Sequence, residues 1–282
     1  EASYIFTPRC HTRDRMRGEF VDLSGARIYY YAAGTRGAGN PVVLIHGFPT
    51  SSHLWNDVVP LMPPGHRVVV LDLLGYGRSD RPLGRPVDIA GHAARIVQLL
   101  DELRIDQACM VGHGMGGGIA QWLALNHRER VSHIGLIDSV PLGSTQSIHA
   151  GVTRAAMPLM GLLPPSVLLS IVRRDLLRGY EDSSRAARSV ELYLRPFAGA
   201  DGRDALVAHL RAGRAPNVAV SALRVPTVLV WGENDRAVPL STGIQIRDAI
   251  HGATLDVVPG ARHITPEEAP SEIADAIGRL LS

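Results

Sequence analysis

Five glycines fall within the seven residues Gly112-His113-Gly114-Met115-Gly116-Gly117-Gly118 of this 282-residue chain. The run before them, Gln107-Ala108-Cys109-Met110-Val111, is short and apolar, as a buried strand requires. The run after them, Ile119-Ala120-Gln121-Trp122-Leu123-Ala124-Leu125, begins a helix with an apolar face. A strand must therefore turn sharply into a helix across residues almost without side chains. Such turns are glycine-rich because one residue sits at strained backbone angles and its neighbours come very close. The spacing is that of G-x-S-x-G, an elbow that presents a nucleophile at the mouth of a pocket, with a hydrogen where the side chain would be. Gly-rich turns also cradle phosphates, and the run overlaps loosely with the dinucleotide fingerprint G-x-G-x-x-G. That fingerprint belongs to the first strand of a nucleotide fold and has an acidic residue about 20 positions on. Here Glu129 lies only eleven residues past Gly118.

Further aliphatic runs also end in chemically marked loops. Val42-Val43-Leu44-Ile45 leads to His46-Gly47-Phe48-Pro49, and Val68-Val69-Val70-Leu71 leads to Asp72-Leu73-Leu74-Gly75-Tyr76-Gly77-Arg78-Ser79-Asp80. Thr227-Val228-Leu229-Val230-Trp231-Gly232 leads to Glu233-Asn234-Asp235, and Leu255-Asp256-Val257-Val258 leads to Pro259-Gly260-Ala261-Arg262-His263. A further strand is expected near 133–138 and a helix over Ile89 to Leu103. Phe20 to Ala33 is expected to open the fold as two strands, turning at Leu23-Ser24-Gly25-Ala26. Alternation of strands and helices implies a mostly parallel sheet covered on both faces. From Glu267 to Leu281 the pattern predicts one final amphipathic helix.

An elbow, then an acid, then a histidine, each after a strand and in that chain order, resembles the α/β-hydrolase fold family over about Phe20 to Leu281. The H-G-F-P loop narrows the resemblance to epoxide hydrolases, some dehalogenases, carbon–carbon bond hydrolases and esterases. It implies an α/β-hydrolase fold with an inserted helical lid. The expected domains are an N-terminal arm over 1–19, a core over 20–140 and 218–282, and a lid over 141–217. The resemblance makes His263 the general acid–base and Asp235 the carboxylate that orients it, with Gly114 at the nucleophile position. It also assigns the oxyanion hole to the amides of Phe48 and Met115. Asp138 falls where some relatives keep an alternative acid, and otherwise reads as a pocket-wall or capping residue. Trp55, Tyr180 and Tyr193 are candidates for the substrate pocket, with Trp122, Phe48 and Phe197 as further apolar lining. Epoxide hydrolases use lid tyrosines to protonate the epoxide oxygen, whereas packing is the ordinary role of a tyrosine in a helix. His46 and His113 read as scaffold. Met115 follows the elbow as in the serine-bearing G-H-S-M-G-G form. Haloalkane dehalogenases usually carry there a Trp that holds the halide, so dehalogenation ranks below ester or carbon–carbon cleavage.

Composition removes several classes. Net charge is +2, which indicates neither a nucleic-acid footprint nor an acidic tail. All 29 basic residues are Arg, as codon bias in a GC-rich bacterial genome would give, and Schiff-base catalysis through Lys is excluded. Cys10 and Cys109 do not form a disulfide framework, and Cys109 reads as a small core residue. Arg9, Arg13, Arg15 and Arg17 have no apolar stretch behind them, so no secretory signal is expected. Ala155 to Val172 carries no charge, but Pro158, Pro164 and Pro165 would break a membrane helix there. A cytoplasmic enzyme without cofactor or metal is expected, acting on a small-molecule substrate. No nucleic acid or membrane partner is expected, and a homodimer is left open.

Gly114 admits three interpretations. A Ser or Asp nucleophile was removed by design or by nature, leaving a hydrolase-family enzyme without covalent catalysis. Alternatively, a lyase, isomerase or cyclase runs on His263 and Asp235 as general acid and base. As a third, the pocket only binds a ligand.

Overall fold

The computed structural model describes residues 18–35, 39–81, 84–142, 163–212 and 219–282. Most of the expected arm (1–17) lies outside the described residues, as do 143–162 and 213–218 of the expected lid and its boundary.

Eight strands form one sheet: β1 (Glu19–Asp22), β2 (Arg27–Ala33), β3 (Val42–Ile45), β4 (Val68–Leu71), β5 (Ala108–His113), β6 (Val131–Ile137), β7 (Thr227–Gly232) and β8 (Thr254–Val258). Their spatial order is β1-β2-β4-β3-β5-β6-β7-β8. The β1–β2 hairpin is antiparallel and joins β4 antiparallel at Tyr30↔Leu71, and every other pairing is parallel. Every residue of β3, β4, β5 and β7 is buried. This is why they read as unbroken aliphatic runs rather than as alternating ones: helices cover both faces of a parallel sheet.

Helix α1 (Ile89–Glu102) starts where the Asp88 side chain accepts a hydrogen bond from Gly91 N at 2.8 Å. Helix α2 (Met115–Asn126) begins at the elbow itself, four residues before the expected Ile119. The apolar periodicity starts late because Gly116 to Gly118 carry no side chains to show it.

Between β6 and β7 the chain inserts α3 (Pro165–Leu177), α4 (Ser183–Leu194) and α5 (Ala200–Ala212). These helices bury Leu168, Val172, Leu176, Val190 and Leu206. Each such side chain contributes about 1.5–3 kcal/mol, whereas an exposed pair such as Arg173–Glu191 contributes at most about 1 kcal/mol. Apolar burial therefore holds the insert in place. No helix among the described residues is long and apolar enough to cross a membrane.

After β7 come α6 (Leu240–Ala249), α7 (Thr265–Glu268) and α8 (Pro270–Leu281). The single helix expected from Glu267 to Leu281 is thus two. Ala269 stands at φ −139 and ψ 59 between them, because a residue before proline is driven out of the helical region and Pro270 supplies no N–H. The loops after β5, β7 and β8 all lie at the carboxyl ends of parallel strands, where open α/β sheets place their ligands.

Candidate active site

The turn after β5 is built around Gly114, which has φ 54 and ψ −118. Side chains rarely adopt this region, and glycine occupies it without steric cost. Gly114 N donates to the Ile137 carbonyl at 3.0 Å, and its own carbonyl accepts from Gly117 N and Val140 N, each at 3.1 Å. The neighbouring glycine answers a different demand. A Cβ on Gly116 would stand 2.2 Å from the Ile45 carbonyl oxygen, so α2 can approach β3 only without one. The H-G-F-P loop abuts the same turn: a Cβ on Gly47 would lie 2.8 Å from the His113 oxygen and 3.3 Å from Met115 N. Phe48 is half-buried against the core.

His263 and Asp235 meet over this turn. Asp235 Oδ2 lies 2.8 Å from His263 Nδ1, and its Oδ1 accepts Ala237 N at 2.7 Å and Val238 N at 3.0 Å. The carboxylate is thereby fixed, and in the neutral ring it holds the proton on Nδ1 and leaves the Nε2 lone pair open. The histidine main chain is anchored to the insert: His263 N and Ile264 N both donate to the Gly179 carbonyl at 3.0 Å. A Cβ built on Gly114 would lie 3.7 Å from His263 Nε2.

The electrostatics favour the imidazolium. Burial works to lower the His263 pKa, but the Asp235 carboxylate, with Asp138 and Asp175 beyond it, outweighs burial and raises it to about 9. His113 goes the other way. Burial pushes it down to about 3, and its neutral ring donates through Nε2 to the His263 carbonyl at 2.7 Å. The two rings stand 4.8 Å apart. His46 bonds Gly47 O through Nδ1 and accepts Leu73 N at Nε2, which ties the loops after β3 and β4 together.

Four side chains expected at the substrate pocket are buried. Asp138 is fully buried behind the dyad, where its carboxyl accepts Gly232 N at 2.8 Å and pairs with the Thr265 hydroxyl. Burial and the nearby Asp235 push its pKa up. Tyr180 and Tyr193 are buried, and both hydroxyls donate to Glu267, Tyr180 at 3.0 Å. Trp55 is wholly enclosed in the core. Phe197 packs edge-on against Tyr76 at 5.9 Å, and Trp122 is partly buried.

Glu267, which nothing in its own sequence context marks, is a buried carboxylate that also accepts the Ser189 hydroxyl at 2.6 Å. The one signal was indirect: tyrosines in an apolar insert need an acceptor for their hydroxyls. Among the described residues no group of three His, Cys, Asp or Glu side chains could hold a metal ion.

Comparison with known proteins agrees with this architecture. The family described as alpha/beta hydrolase fold matches residues 40–158. The chain is similar to haloalkane dehalogenase 2 of Mycobacterium tuberculosis (strain ATCC 25618 / H37Rv), with 31% identity over 273 residues and 92% of each chain covered. It is also similar to the 2-hydroxymuconate semialdehyde hydrolase of Pseudomonas sp. (strain CF600), with 31% identity and coverage of 87% of this chain and 88% of that one. Among solved structures, a hydrolase from Pseudomonas aeruginosa PA01 superposes with a TM-score of 0.78 at 25% identity, covering 94% of this chain and 98% of its own. With the sheet order, the elbow and these relatives in agreement, the chain belongs to the α/β-hydrolase fold family.

Proposed function

We propose that the protein is a hydrolase-family enzyme for a small apolar substrate, descended from ester, carbon–carbon or epoxide hydrolysis, in which Gly114 occupies the nucleophile position. Covalent catalysis is then lost, and the chemistry falls to His263 and Asp235. The supporting observation is the 3.7 Å between the Cβ position of residue 114 and His263 Nε2. A serine hydroxyl would close that distance to a hydrogen bond. Without it, a water molecule in the same place can give its proton to Nε2 and attack a bound carbonyl directly. The amides of Phe48 and Met115 are the donors for the oxyanion that forms, and neither depends on the side chain at 114.

The relatives named as a dehalogenase and as a semialdehyde hydrolase support a hydrolase of small molecules. Met115, in place of a Trp after the elbow, argues against halide chemistry. Loss of a triad nucleophile costs about 10⁶ in turnover and leaves roughly 10³–10⁴ over water. The expected activity is therefore slow hydrolysis.

A second reading has its own observation. An imidazole held protonated up to about pH 9 is a ready proton donor, as a nonhydrolytic lyase, isomerase or cyclase would need. Assays on aryl esters and lactones with the wild type, Gly114→Ser and His263→Ala separate the two. Slow hydrolysis that needs His263 and rises in Gly114→Ser supports the hydrolase. No hydrolysis by either His263-containing form refutes it.

A further inference from the structure

The sheet order separates the candidate base from the turn it stands over. Strands β6 and β7 lie between β5, which ends at the turn, and β8, which leads to the His263 loop. Ladder hydrogen bonds therefore do not connect the two loops. Asp235 holds the His263 ring and the Gly179 carbonyl holds its N–H, both from outside the turn. Among the described residues one hydrogen bond joins residues 112–118 to the segment 259–265. It runs from His113 Nε2 to the His263 carbonyl, at 2.7 Å.

His113 is the last residue of β5 and directly precedes Gly114. Its ring is fully buried, 4.8 Å from the His263 ring. The H-G-F-P loop packs against the same imidazole, since a Cβ on Gly47 would stand 3.2 Å from His113 Nδ1. One side chain, carried by the elbow strand, thus meets both the loop of Phe48 and the loop of His263. The chemistry of the bond suits this place. A carbonyl oxygen only accepts, so Nε2 carries the proton and Nδ1 is bare. Burial, and the charge of His263 after it, push the His113 pKa down to about 3. The ring keeps one proton over the whole range in which His263 titrates, so the bond does not come and go with pH. An arginine or lysine would bring a charge that opposes the imidazolium beside it.

We propose that His113 is a positioning residue: by holding the His263 carbonyl it keeps that imidazole over position 114 and aligned with Asp235. Its catalytic consequence rests on His263 being the base, as read above. A displacement of about 1 Å in such a group costs about 10²-fold in rate. Without the bond to its carbonyl, the His263 ring also loosens from Asp235, the partner that raises its pKa to about 9.

His113→Gln, His113→Leu and His113→Asn test this on the full chain. Glutamine places an amide nitrogen where Nε2 stands, leucine has no donor, and the asparagine amide is too short to reach. NMR titration of the His263 imidazole, without substrate, should show its pKa lowered by about one unit in His113→Leu and His113→Asn and nearly unchanged in His113→Gln. In a Gly114→Ser background, His113→Leu should lower kcat/KM on an aryl ester by about 10²-fold and shift its pH profile the same way, and His113→Gln should restore most of it. A merely structural role would lower the urea midpoint and leave the His263 pKa in place. Should His113→Leu not fold, His113→Asn gives the same comparison. An unchanged His263 pKa in the variants without the donor overturns the proposal, and so does a His113→Gln displaced as far as they are. Shifted pKa values in a Gly114→Ser protein that hydrolyses no ester would uphold the positioning and refute the catalytic reading, which keeps the two apart.

Discussion

The Cβ that residue 114 lacks would stand 3.7 Å from His263 Nε2 and 3.9 Å from Gly47 Cα, the nearest atoms among the described residues apart from its chain neighbours. Space for a side chain is therefore present at the centre of the candidate site. What opposes one is the backbone, at φ 54 and ψ −118. Space and strain are separable here, and each leads to its own measurement.

Gly114→Ser should gain activity and lose stability. The hydroxyl enters hydrogen-bond range of Nε2, and hydrolysis of an aryl ester should rise by up to about 10⁶-fold, the cost of losing a triad nucleophile. The strained backbone then carries a Cβ, at a cost of about 1–3 kcal/mol. Kinetics and urea unfolding on the same preparation check both. A gain that persists in a Gly114→Ser, His263→Ala double variant would remove His263 from the mechanism.

The His263–Asp235 pair should make stability depend on pH in one direction. The folded-state pKa of His263 is raised from the ordinary 6.5 to about 9. The folded protein therefore holds this proton more tightly than the unfolded chain does. The resulting stabilisation is complete below pH 6.5 and is lost as pH rises through about 9. Its size is on the order of 3 kcal/mol. Denaturant midpoints between pH 6 and pH 10 should fall in the wild type and fall less in Asp235→Asn. Water activation by neutral His263 should rise over the same window, so hydrolysis and stability should move in opposite directions. Hydrolysis that falls through pH 9 would favour the imidazolium as acid.

The contrast between strands and cap contacts explains what could be read in the amino-acid order. A strand buried on both faces leaves an aliphatic run, and Val42–Ile45 and Val68–Leu71 were visible for that reason. His263 and Asp235 were singled out by the resemblance to the α/β-hydrolase family, which places an acid and a histidine in loops after such runs. The Ala269 break was not, since apolar spacing continues through it and only Pro270 marks the stop. Glu267 was hidden for a different reason: a carboxylate in a helix normally faces water, and the three hydroxyls that bury it are 74 to 87 residues away. The same holds for Tyr180 and Tyr193, whose type suits a pocket as well as a hydrogen bond to a buried acid.

Glycines 114 and 116 should respond oppositely to what their spacing suggests. Alanine at 116 sits inside α2, where propensity alone would favour it by about 1 kcal/mol. Its Cβ would stand 2.2 Å from the Ile45 carbonyl oxygen and 2.7 Å from that of His46, both backbone atoms of the central sheet and its loop. The backbone must shift, and Gly116→Ala should cost about 3 kcal/mol or more. Gly114→Ala meets no atom closer than 3.7 Å among the described residues beyond its chain neighbours and should cost about 1–2 kcal/mol from its angles alone. Urea denaturation of both variants tests the ranking, and a Gly114→Ala cost above that of Gly116→Ala would contradict the packing of the elbow on β3.

Glu267 should hold the insert to the core more through hydrogen bonding than through charge. It accepts from Tyr180, Ser189 and Tyr193, all on the insert, and lies four residues after His263. Glu267→Ala strands three buried hydroxyls, each at a cost of about 1–3 kcal/mol, and should lower stability by at least about 3 kcal/mol. Glu267→Gln keeps one oxygen acceptor and an amide that can donate to a phenol, so it should cost less than half as much. Hydrogen exchange localises the effect: amides of 183–194 should exchange faster in Glu267→Ala, while those of β3 and β5 keep their protection relative to global unfolding. If Glu267→Gln proved as damaging as Glu267→Ala, the negative charge and not the acceptor geometry would be the anchor, and Arg185 would be the partner to examine, since its guanidinium feels this carboxylate while bound to Asp57.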